Sequence, residues 1–183
     1  MTYHDNKHIP IATLNDARDI TITLNAPSKT FNVAGIVNAY AITHNESLKR
    51  KFLTLFNRYA LIQANPLAMA VTIAAYHDSN AWLKELKNTF IENLQIVNEK
   101  KDKITPIKPL FPEATFLLWL DCRALGLSDK ALNRWFIDEA KLGLNRGSSF
   151  GSAGEGFMRM NFAHPKAEIE QALKQIENAL DFL

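Results

Sequence analysis

Apolar residues recur at intervals of three and four along the middle of the chain and predict three helices, at 47–62, 67–77 and 79–103. Asn65-Pro66 separates the first two, because proline is tolerated at a helix start and breaks a helix interior. Ser79 is a residue type that caps helix N-termini. At 1.5 Å per residue the third helix would be about 35 Å long, which is enough to join two domains.

Two apolar, β-prone runs precede these helices, at 20–24 and 37–43, and predict strands that are buried on both faces. Beyond the prolines of 105–109 the pattern predicts a strand, a helix, two strands and a helix, at 116–121, 128–141, 144–146, 157–162 and 166–181. A sheet with helices on one side would bury the apolar stripes of these helices. The sequence therefore predicts an α/β fold, with an incomplete sheet followed by a small α+β domain.

Composition and charge restrict the classes of partner. The chain has 183 residues, 47% of them hydrophobic, and a net charge of +2, which is too small to argue for nucleic acid. No apolar run approaches membrane-spanning length, and the first residues lack a signal-peptide pattern. The single cysteine, Cys122, fits a reducing compartment and follows an apolar run, so we expect a packed thiol in a cytoplasmic protein.

Other common chemistries have no support in the sequence. His4 and His8 are four residues apart but lie in a segment without a helical pattern, so we expect no metal site. Ser28 and Lys29 are adjacent, whereas in a Ser-Lys hydrolase two other residues lie between the serine and the lysine on a helix. Neither a phosphate-binding P-loop nor a nucleophile elbow is present.

Lys29 lies in the short segment 26–32, between the two predicted strands of the first region. A lysine beside the end of a buried strand loses part of its hydration, which disfavours the ammonium form. The neutral amine can then attack a carbonyl group, as a Schiff-base lysine does. The alternative is an ordinary solvated surface charge.

Three segments, in this order, decide between those alternatives. They read TLNAPSKTFNVAG (23–35), FPEATFLLWLD (111–121) and NRGSSFG followed by GEGFMRMNF (145–151 and 154–162). Together they resemble the C-terminal half of a fold-type-I pyridoxal 5'-phosphate (PLP) enzyme of the class-I/II aminotransferase superfamily. The resemblance is closest to the cystathionine β-lyase (C–S lyase) branch, of the maltose-regulon-modulator type, and it covers nearly the whole chain.

The resemblance implies roles for individual residues. Lys29 matches the lysine that holds PLP and moves the substrate α-proton, and Ser28 is a candidate phosphate contact. Arg159 matches the arginine that binds the substrate α-carboxylate, a task that suits a planar guanidinium fork. The loop that approaches the active site in this family corresponds to a segment that contains Asn145, Gly147, Ser148 and Phe150. The resemblance makes Asn145 and Ser148 candidate substrate-binding residues.

Two departures favour the lyase branch over plain aminotransferases. Many aminotransferases have a phosphate-binding arginine eight residues after the lysine, where this chain has Val37. The third residue before the lysine is often a phosphate-binding serine, and here it is Ala26. The lyase branch tolerates both changes.

The resemblance also implies an enzyme of about twice this length. The phosphate-cradling turn, the aromatic residue that stacks on the cofactor ring and the aspartate that pairs with the ring nitrogen are expected before Met1. We therefore expect the chain to be a fragment that is inactive alone. Residues 1–78 would complete the large PLP-binding domain, 79–103 would form the interdomain helix, and 104–183 would form the small C-terminal domain.

The function implied is PLP-dependent cleavage of cystathionine or cysteine conjugates to pyruvate, ammonia and a thiol. A PLP-dependent aminotransferase is the first alternative. A non-catalytic binding or regulatory protein is the second, because members of the lyase branch can bind a transcription regulator. The expected partners are an amino-acid substrate and, for the intact enzyme, a second copy in a homodimer.

Overall fold

The computed structural model describes residues 1–3, 5–61 and 65–183 of the chain. The chain divides into two compact units. The N-terminal unit comprises Lys7–Glu85, and the C-terminal unit comprises Met1–Asn6 together with Leu86–Leu183. The boundary at residues 85 and 86 lies inside a helix. The assignment of 1–78, 79–103 and 104–183 as separate domains stays a prediction.

The N-terminal unit contains a two-stranded antiparallel ribbon and helices. Strand β1 (Thr23–Asn25) pairs with strand β2 (Tyr40–Ile42) so that Thr23 lies opposite Ile42. The bounds of the strands and helices are β1 Thr23–Asn25, β2 Tyr40–Ile42, α1 Glu46–Arg58 and α2 Pro66–Asp78, with the start of α3 at Asn80. The end predicted for the first helix, at residue 62, lies outside the described residues.

Asparagine side chains cap the N-termini of α1 and α2. The Asn45 carboxamide oxygen accepts hydrogen bonds from the backbone N–H groups of residues 47 and 48, and that of Asn65 from residues 67 and 68. Each oxygen thereby satisfies N–H groups that have no partner inside the helix. Pro66 occupies the first turn of α2, as the sequence predicts. Ser79 occupies the position directly before α3, as the sequence predicts, and its carbonyl oxygen accepts the first hydrogen bond of that helix, from the N–H of Leu83. Its hydroxyl donates to the carbonyl oxygen of Ala74.

The prediction that the first two strands are buried on both faces is wrong for this chain. Leu24 is 70% exposed, Ile42 is 50% exposed, and Val37, just before β2, is 90% exposed. The reason is that β1 and β2 pair only with each other among the described residues, so no further strand extends the ribbon. Both outer edges of the ribbon are open, as the incomplete sheet predicts.

The C-terminal unit is built on a four-stranded antiparallel sheet. Its strands lie side by side in the order β3 (Lys108–Leu110), β4 (Leu117–Asp121), β6 (Phe157–Asn161) and β5 (Asn145–Arg146). Helix α3 ends at Lys100 and continues as a 3₁₀ turn, Lys101–Ile104. The strands and remaining helices are β3 Lys108–Leu110, β4 Leu117–Asp121, α4 Asp129–Asp138, β5 Asn145–Arg146, β6 Phe157–Asn161 and α5 Lys166–Leu180. The α+β architecture of this region therefore matches the prediction.

One face of this sheet forms the core. Alternate residues of the central strands are fully buried and share one apolar cluster with side chains of α3, α4 and α5. The strand residues in the cluster are Leu118, Leu120, Met158 and Met160. The intervening positions, which include Trp119 and Arg159, are only half-buried. The sheet therefore presents its second face, with Arg159 on it, away from this core.

Asn93 is the buried polar residue of the described core. Its side-chain Nδ2 group donates to the carbonyl oxygens of Phe162, at 3.0 Å, and His164, at 2.9 Å. Its Oδ1 atom has no partner among the described residues. Phe162 directly follows β6, the strand that carries Arg159. The Asn93 amide therefore ties the end of β6 to helix α3.

Cys122 confirms the prediction of a packed thiol. It is a free, buried cysteine at the end of β4. Burial, with a smaller contribution from the negative charge of Asp121, raises the pKa of the Cys122 thiol to about 12. The thiol is therefore protonated at neutral pH and does not act as a nucleophile there.

The described residues contain no helix that is long and apolar enough to cross a membrane. They also contain no group of three or more His, Cys, Asp or Glu residues that could hold a metal ion. His4, one of the two closely spaced histidines of the sequence, lies outside the described residues.

Candidate active site

Lys29 lies in a turn four residues after β1. The turn is closed by two backbone hydrogen bonds of 3.0 Å, from the N–H of Phe31 to the carbonyl oxygen of Pro27 and from the N–H of Val33 to that of Ser28. Pro27 is buried and anchors the start of the turn. Proline fixes its own backbone angle, so the approach to Lys29 has little conformational freedom.

Aromatic packing holds the far side of the same turn. The Phe31 ring meets the Tyr76 ring edge to face at a centroid distance of 5.2 Å and lies nearly parallel to the Trp82 ring at 6.4 Å. The Tyr40 hydroxyl donates to the Tyr76 hydroxyl at 3.0 Å, which links β2 to the same cluster. Such aromatic pairs contribute about 0.5–1.5 kcal/mol beyond their buried area. The Lys29 turn is therefore fixed at both ends.

The Lys29 side chain itself is exposed. Within the described part of the chain its amine has no hydrogen-bonding or ion-pair partner. The prediction that Lys29 is partly desolvated is therefore wrong for this chain, because the ribbon before it is not covered. The adjacent Ser28 is half-buried. An unpaired primary amine on a fixed turn nevertheless fits the covalent attachment of a carbonyl compound.

Arg159 is held in a defined orientation on β6. It lies opposite Asn145 of β5, and its Nη2 group donates to the Asn145 Oδ1 atom at 3.0 Å. The guanidinium carbon lies 4.2 Å from the centroid of the Phe150 ring, so the cation stacks on the aromatic face. The Nε atom is buried and has no partner among the described residues. Arg159 can therefore still donate to a bound acceptor.

The loop beside Arg159 is compact because two glycines touch. Gly147 and Gly154 belong to successive 3₁₀ turns, Gly147–Phe150 and Ser152–Gly154. A Cβ atom on either glycine would overlap the carbonyl oxygen of the other. Only glycine fits at such a close backbone approach. The contact places the Phe150 ring beneath the guanidinium of Arg159.

The Ser148 side chain makes its hydrogen bond to Asp129 and not to Arg159. Its hydroxyl donates to the Asp129 Oδ2 atom at 2.8 Å. The same carboxylate oxygen lies 3.7 Å from the Nη1 atom of Arg146. The structure thus brings together Arg159, Asn145 and Phe150 of the predicted site residues, while the roles of Ser148 and Asn145 as substrate ligands stay predictions.

An apolar cavity of about 360 Å³ lies in the same unit. Trp119 meets the rings of Phe150 and Phe157 edge to face, at 5.9 and 6.0 Å. The cavity is lined by Leu110, Trp119, Gly147, Phe150, Gly151, Ala153, Gly154 and Phe157. Trp119 and Asp129 are not among the site residues predicted from the sequence. Strand alternation could have indicated Trp119, because it lies between two core leucines and therefore on the other face of the sheet. The capping serine before α4 could have placed Asp129 in the first turn of that helix.

Comparison with known proteins identifies the family. Residues 1–176 match the family described as aminotransferase class I and II. The chain belongs to this family. Over 183 residues it is 39% identical to cystathionine β-lyase PatB of Bacillus subtilis (strain 168), a match that covers 97% of this chain and 46% of PatB. It is 32% identical over 182 residues to protein MalY of Escherichia coli (strain K12), covering 98% of this chain and 46% of MalY.

The solved structures agree with the sequence relatives. Cystalysin from Treponema denticola, whose crystal structure contains PLP, superposes with a TM-score of 0.93 at 29% sequence identity, over 99% of this chain and 46% of cystalysin. The resemblance to the lyase branch of the family is therefore confirmed, and so is an α/β fold of the PLP-dependent aminotransferase type. The chain spans about half the length of the curated relatives that it matches.

Proposed function

We propose that this chain supplies the cofactor-attachment lysine and the carboxylate-binding arginine of a PLP-dependent C–S β-lyase. Its substrates would be cystathionine or cysteine conjugates, and its products pyruvate, ammonia and a thiol. The observation that carries the proposal is the match, over 97% of this chain, to a protein named cystathionine β-lyase. The free amine of Lys29 and the oriented guanidinium of Arg159 provide the two side chains that such a reaction needs from this region.

Lys29 and Ser28 are the residues that would hold the cofactor. PLP, when bound, supplies an electron sink that stabilises negative charge at the substrate α-carbon. The Lys29 amine is unpaired and accessible, so it fits the attachment role, and the Ser28 hydroxyl is one residue away for a phosphate oxygen. Once the substrate amine has taken its place, the Lys29 Nζ atom would accept the α-proton.

Arg159 would bind and orient the substrate through its carboxylate. A guanidinium binds a carboxylate with two parallel N–H···O bonds, and hydrogen bonds to charged groups contribute about 1.5–3 kcal/mol each. The Nη2 bond to Asn145 and the Phe150 ring beneath the cation restrict the rotation of the fork. Arg159 would therefore fix the substrate α-carbon without reorganisation when the carboxylate binds.

The reaction removes the α-proton and then breaks the bond between the β-carbon and sulfur. The electron pair of that bond leaves with sulfur as a thiolate, and hydrolysis of the remaining three-carbon unit gives pyruvate and ammonia. No keto acid is consumed. An aminotransferase using the same lysine is the second candidate, and it is favoured by the family match itself, which covers aminotransferases of classes I and II.

Product analysis tests the proposal. The enzyme that contains this chain, given PLP and L-cystathionine, should release pyruvate, ammonia and a thiol in equal amounts with no keto acid present. Amino-group transfer that occurs only with a keto-acid acceptor would refute the lyase assignment. The isolated chain should form no more pyruvate than its Lys29→Ala variant, and turnover by the isolated chain would refute the proposal that it is inactive alone.

The remaining expectations from the resemblance are part of the same proposal. They are a homodimer of the intact enzyme, a cytoplasmic location, a large domain with an incomplete doubly wound sheet at 1–78, an interdomain helix at 79–103 and a small domain at 104–183. A transcription-regulator partner is the corresponding expectation for the regulatory alternative. Retention of such a partner by the Lys29→Ala variant would support a role that is independent of catalysis.

A further inference from the structure

We propose that Asp129 is a positioning residue for Arg159 and acts through residues 145–150, named here the clamp loop. The proposal depends on the proposed function only in treating Arg159 as the substrate-carboxylate ligand. The orientation of the guanidinium can be tested without cofactor or substrate. Asp129 touches neither Arg159 nor a reacting atom in this account, so it is not a catalytic residue.

The Asp129 carboxylate is well placed to fix the clamp loop. It is the first residue of α4, whose start is capped by the Ser128 hydroxyl. Its side chain is 21% exposed, and the Oδ2 atom accepts the Ser148 hydroxyl at 2.8 Å with Arg146 Nη1 at 3.7 Å. Hydrogen bonds to an ionised acceptor are about twice as strong as neutral ones. One carboxylate oxygen therefore holds two residues of the loop to a rigid helix.

The two residues that orient Arg159 flank the two that Asp129 holds. Asn145, which accepts the Nη2 hydrogen bond, directly precedes Arg146, and Phe150, which stacks beneath the guanidinium, is two residues after Ser148. Residues Gly147–Phe150 form a single 3₁₀ turn that directly follows Arg146. Movement of Ser148 would therefore displace Phe150 as well. The pathway from Asp129 to Arg159 is thus a short series of direct contacts.

A purely structural role for Asp129 must be separated from this one. An acidic residue in the first turn stabilises a helix through the helix dipole, by about 0.3–1 kcal/mol. Ser148→Ala removes the bond to Asp129 but leaves α4 and its charges unchanged. Asp129→Asn keeps an oxygen that can accept from Ser148 and removes the ion pair with Arg146. Asp138→Ala is the matched control, because this residue is an exposed ion-pair partner of Arg134 on the same helix.

Nuclear magnetic resonance of the Arg159 Nε–H group in the 183-residue chain gives the decisive readout. Its signal is identified by its loss in Arg159→Lys. In the unsubstituted chain and in Asp138→Ala, the Nε proton should show a nuclear Overhauser contact to the Phe150 ring. That contact should be lost in both Asp129→Ala and Ser148→Ala and retained in Asp129→Asn. The Asp129→Ala/Ser148→Ala double variant should give the same result as Asp129→Ala, since removal of the Ser148 hydroxyl breaks no further interaction once the carboxylate is gone.

Retention of the contact in both Asp129→Ala and Ser148→Ala would overturn the inference. So would its loss in Asp129→Ala together with its retention in both Ser148→Ala and Asp129→Asn, because neither the Ser148 hydrogen bond nor the Arg146 ion pair would then carry the effect, which would belong to helix α4. If Asp129→Ala does not fold, Ser148→Ala and Asp129→Asn answer the same question. Failure of the lyase proposal would be seen in the products and leaves this measurement unaffected.

Discussion

Replacing Asn93 by aspartate should lower the free energy of unfolding of the C-terminal unit by about 3–5 kcal/mol at pH 7, the cost of leaving an unpaired charge buried. The Asn93 amide donates to two backbone carbonyl oxygens and is fully buried. A carboxylate at this position would face the same two oxygens with no proton to donate. Because Phe162 follows β6, the substitution would also release the end of the strand that carries Arg159.

The loss of unfolding free energy in Asn93→Asp should depend on pH. Burial and the two carbonyl oxygens favour the neutral acid, so the pKa of the introduced carboxyl should lie above the value of about 3.9 that it has in the unfolded chain. A raised folded-state pKa means that the variant is closest to the unsubstituted protein below pH 4 and loses stability as pH rises through the folded-state pKa. Urea unfolding of both proteins from pH 4 to pH 8 measures this difference.

Asn93→Leu provides the uncharged control. It removes both hydrogen bonds without adding a charge, and each unsatisfied carbonyl costs about 1–3 kcal/mol. Its loss of stability should therefore be substantial but, relative to the unsubstituted protein, independent of pH. If the free energy of unfolding of Asn93→Asp at pH 7 were within about 1 kcal/mol of that of the unsubstituted protein, the stabilising role of the Asn93 hydrogen bonds to residues 162 and 164 would be refuted.

Replacing Gly147 by alanine should destabilise the C-terminal unit by about 3 kcal/mol, the upper part of the range for overpacking. The new Cβ atom would overlap the carbonyl oxygen of Gly154 and lie 2.8 Å from that of Phe157. Both obstacles are backbone atoms, so they cannot move aside as a flexible side chain would. The clamp loop must shift instead, which would also displace the Phe150 ring from beneath Arg159.

Gly143→Ala is the matched control for this substitution. No heavy atom lies within 4 Å of the Cβ position at Gly143. Its effect on the free energy of unfolding should stay within about 0.5 kcal/mol. Equal losses from the two substitutions, measured by urea unfolding at one pH, would contradict the close contact between Gly147 and Gly154.

Local signals in the sequence predicted the helices better than the strands. Apolar periodicity and the Asn65-Pro66 pair act within a few residues, so α2 begins where the pattern indicates. Strand burial depends on which other strands lie alongside, which is not a local property. This is why β1 and β2 are exposed in the chain although their sequences are typical of buried strands.

Strand β3 shows a second limit of local patterns. The segment around Pro106 and Pro109 predicts only a break between domains, yet Pro109 lies opposite Leu120 in the sheet. Proline lacks a backbone N–H and is tolerated at the edge of a sheet, where one side of the strand needs no partner. Since β3 is the edge strand of the order β3-β4-β6-β5, the proline does not interrupt the sheet.

The site was only partly accessible from sequence. Residue type alone favoured a solvated charge for Lys29, and the resemblance to a PLP enzyme family was needed to select it. The pairing of Arg159 with Asn145 depends on the register of β5 against β6, and the two residues are 14 positions apart in sequence, so no local pattern encodes it. Asp129 was missed because its partners, Arg146 and Ser148, are brought to it only by the tertiary fold.

The most direct test of the central claim, that Lys29 is the cofactor-attachment lysine, is to mix the enzyme that contains this chain with PLP, reduce with borohydride and map the adduct by mass spectrometry. We expect one adduct per chain on Lys29, lost in Lys29→Ala and retained in Lys51→Ala, which removes another exposed lysine. Adducts spread over several surface lysines, or equal labelling of Lys29→Ala, would contradict that claim.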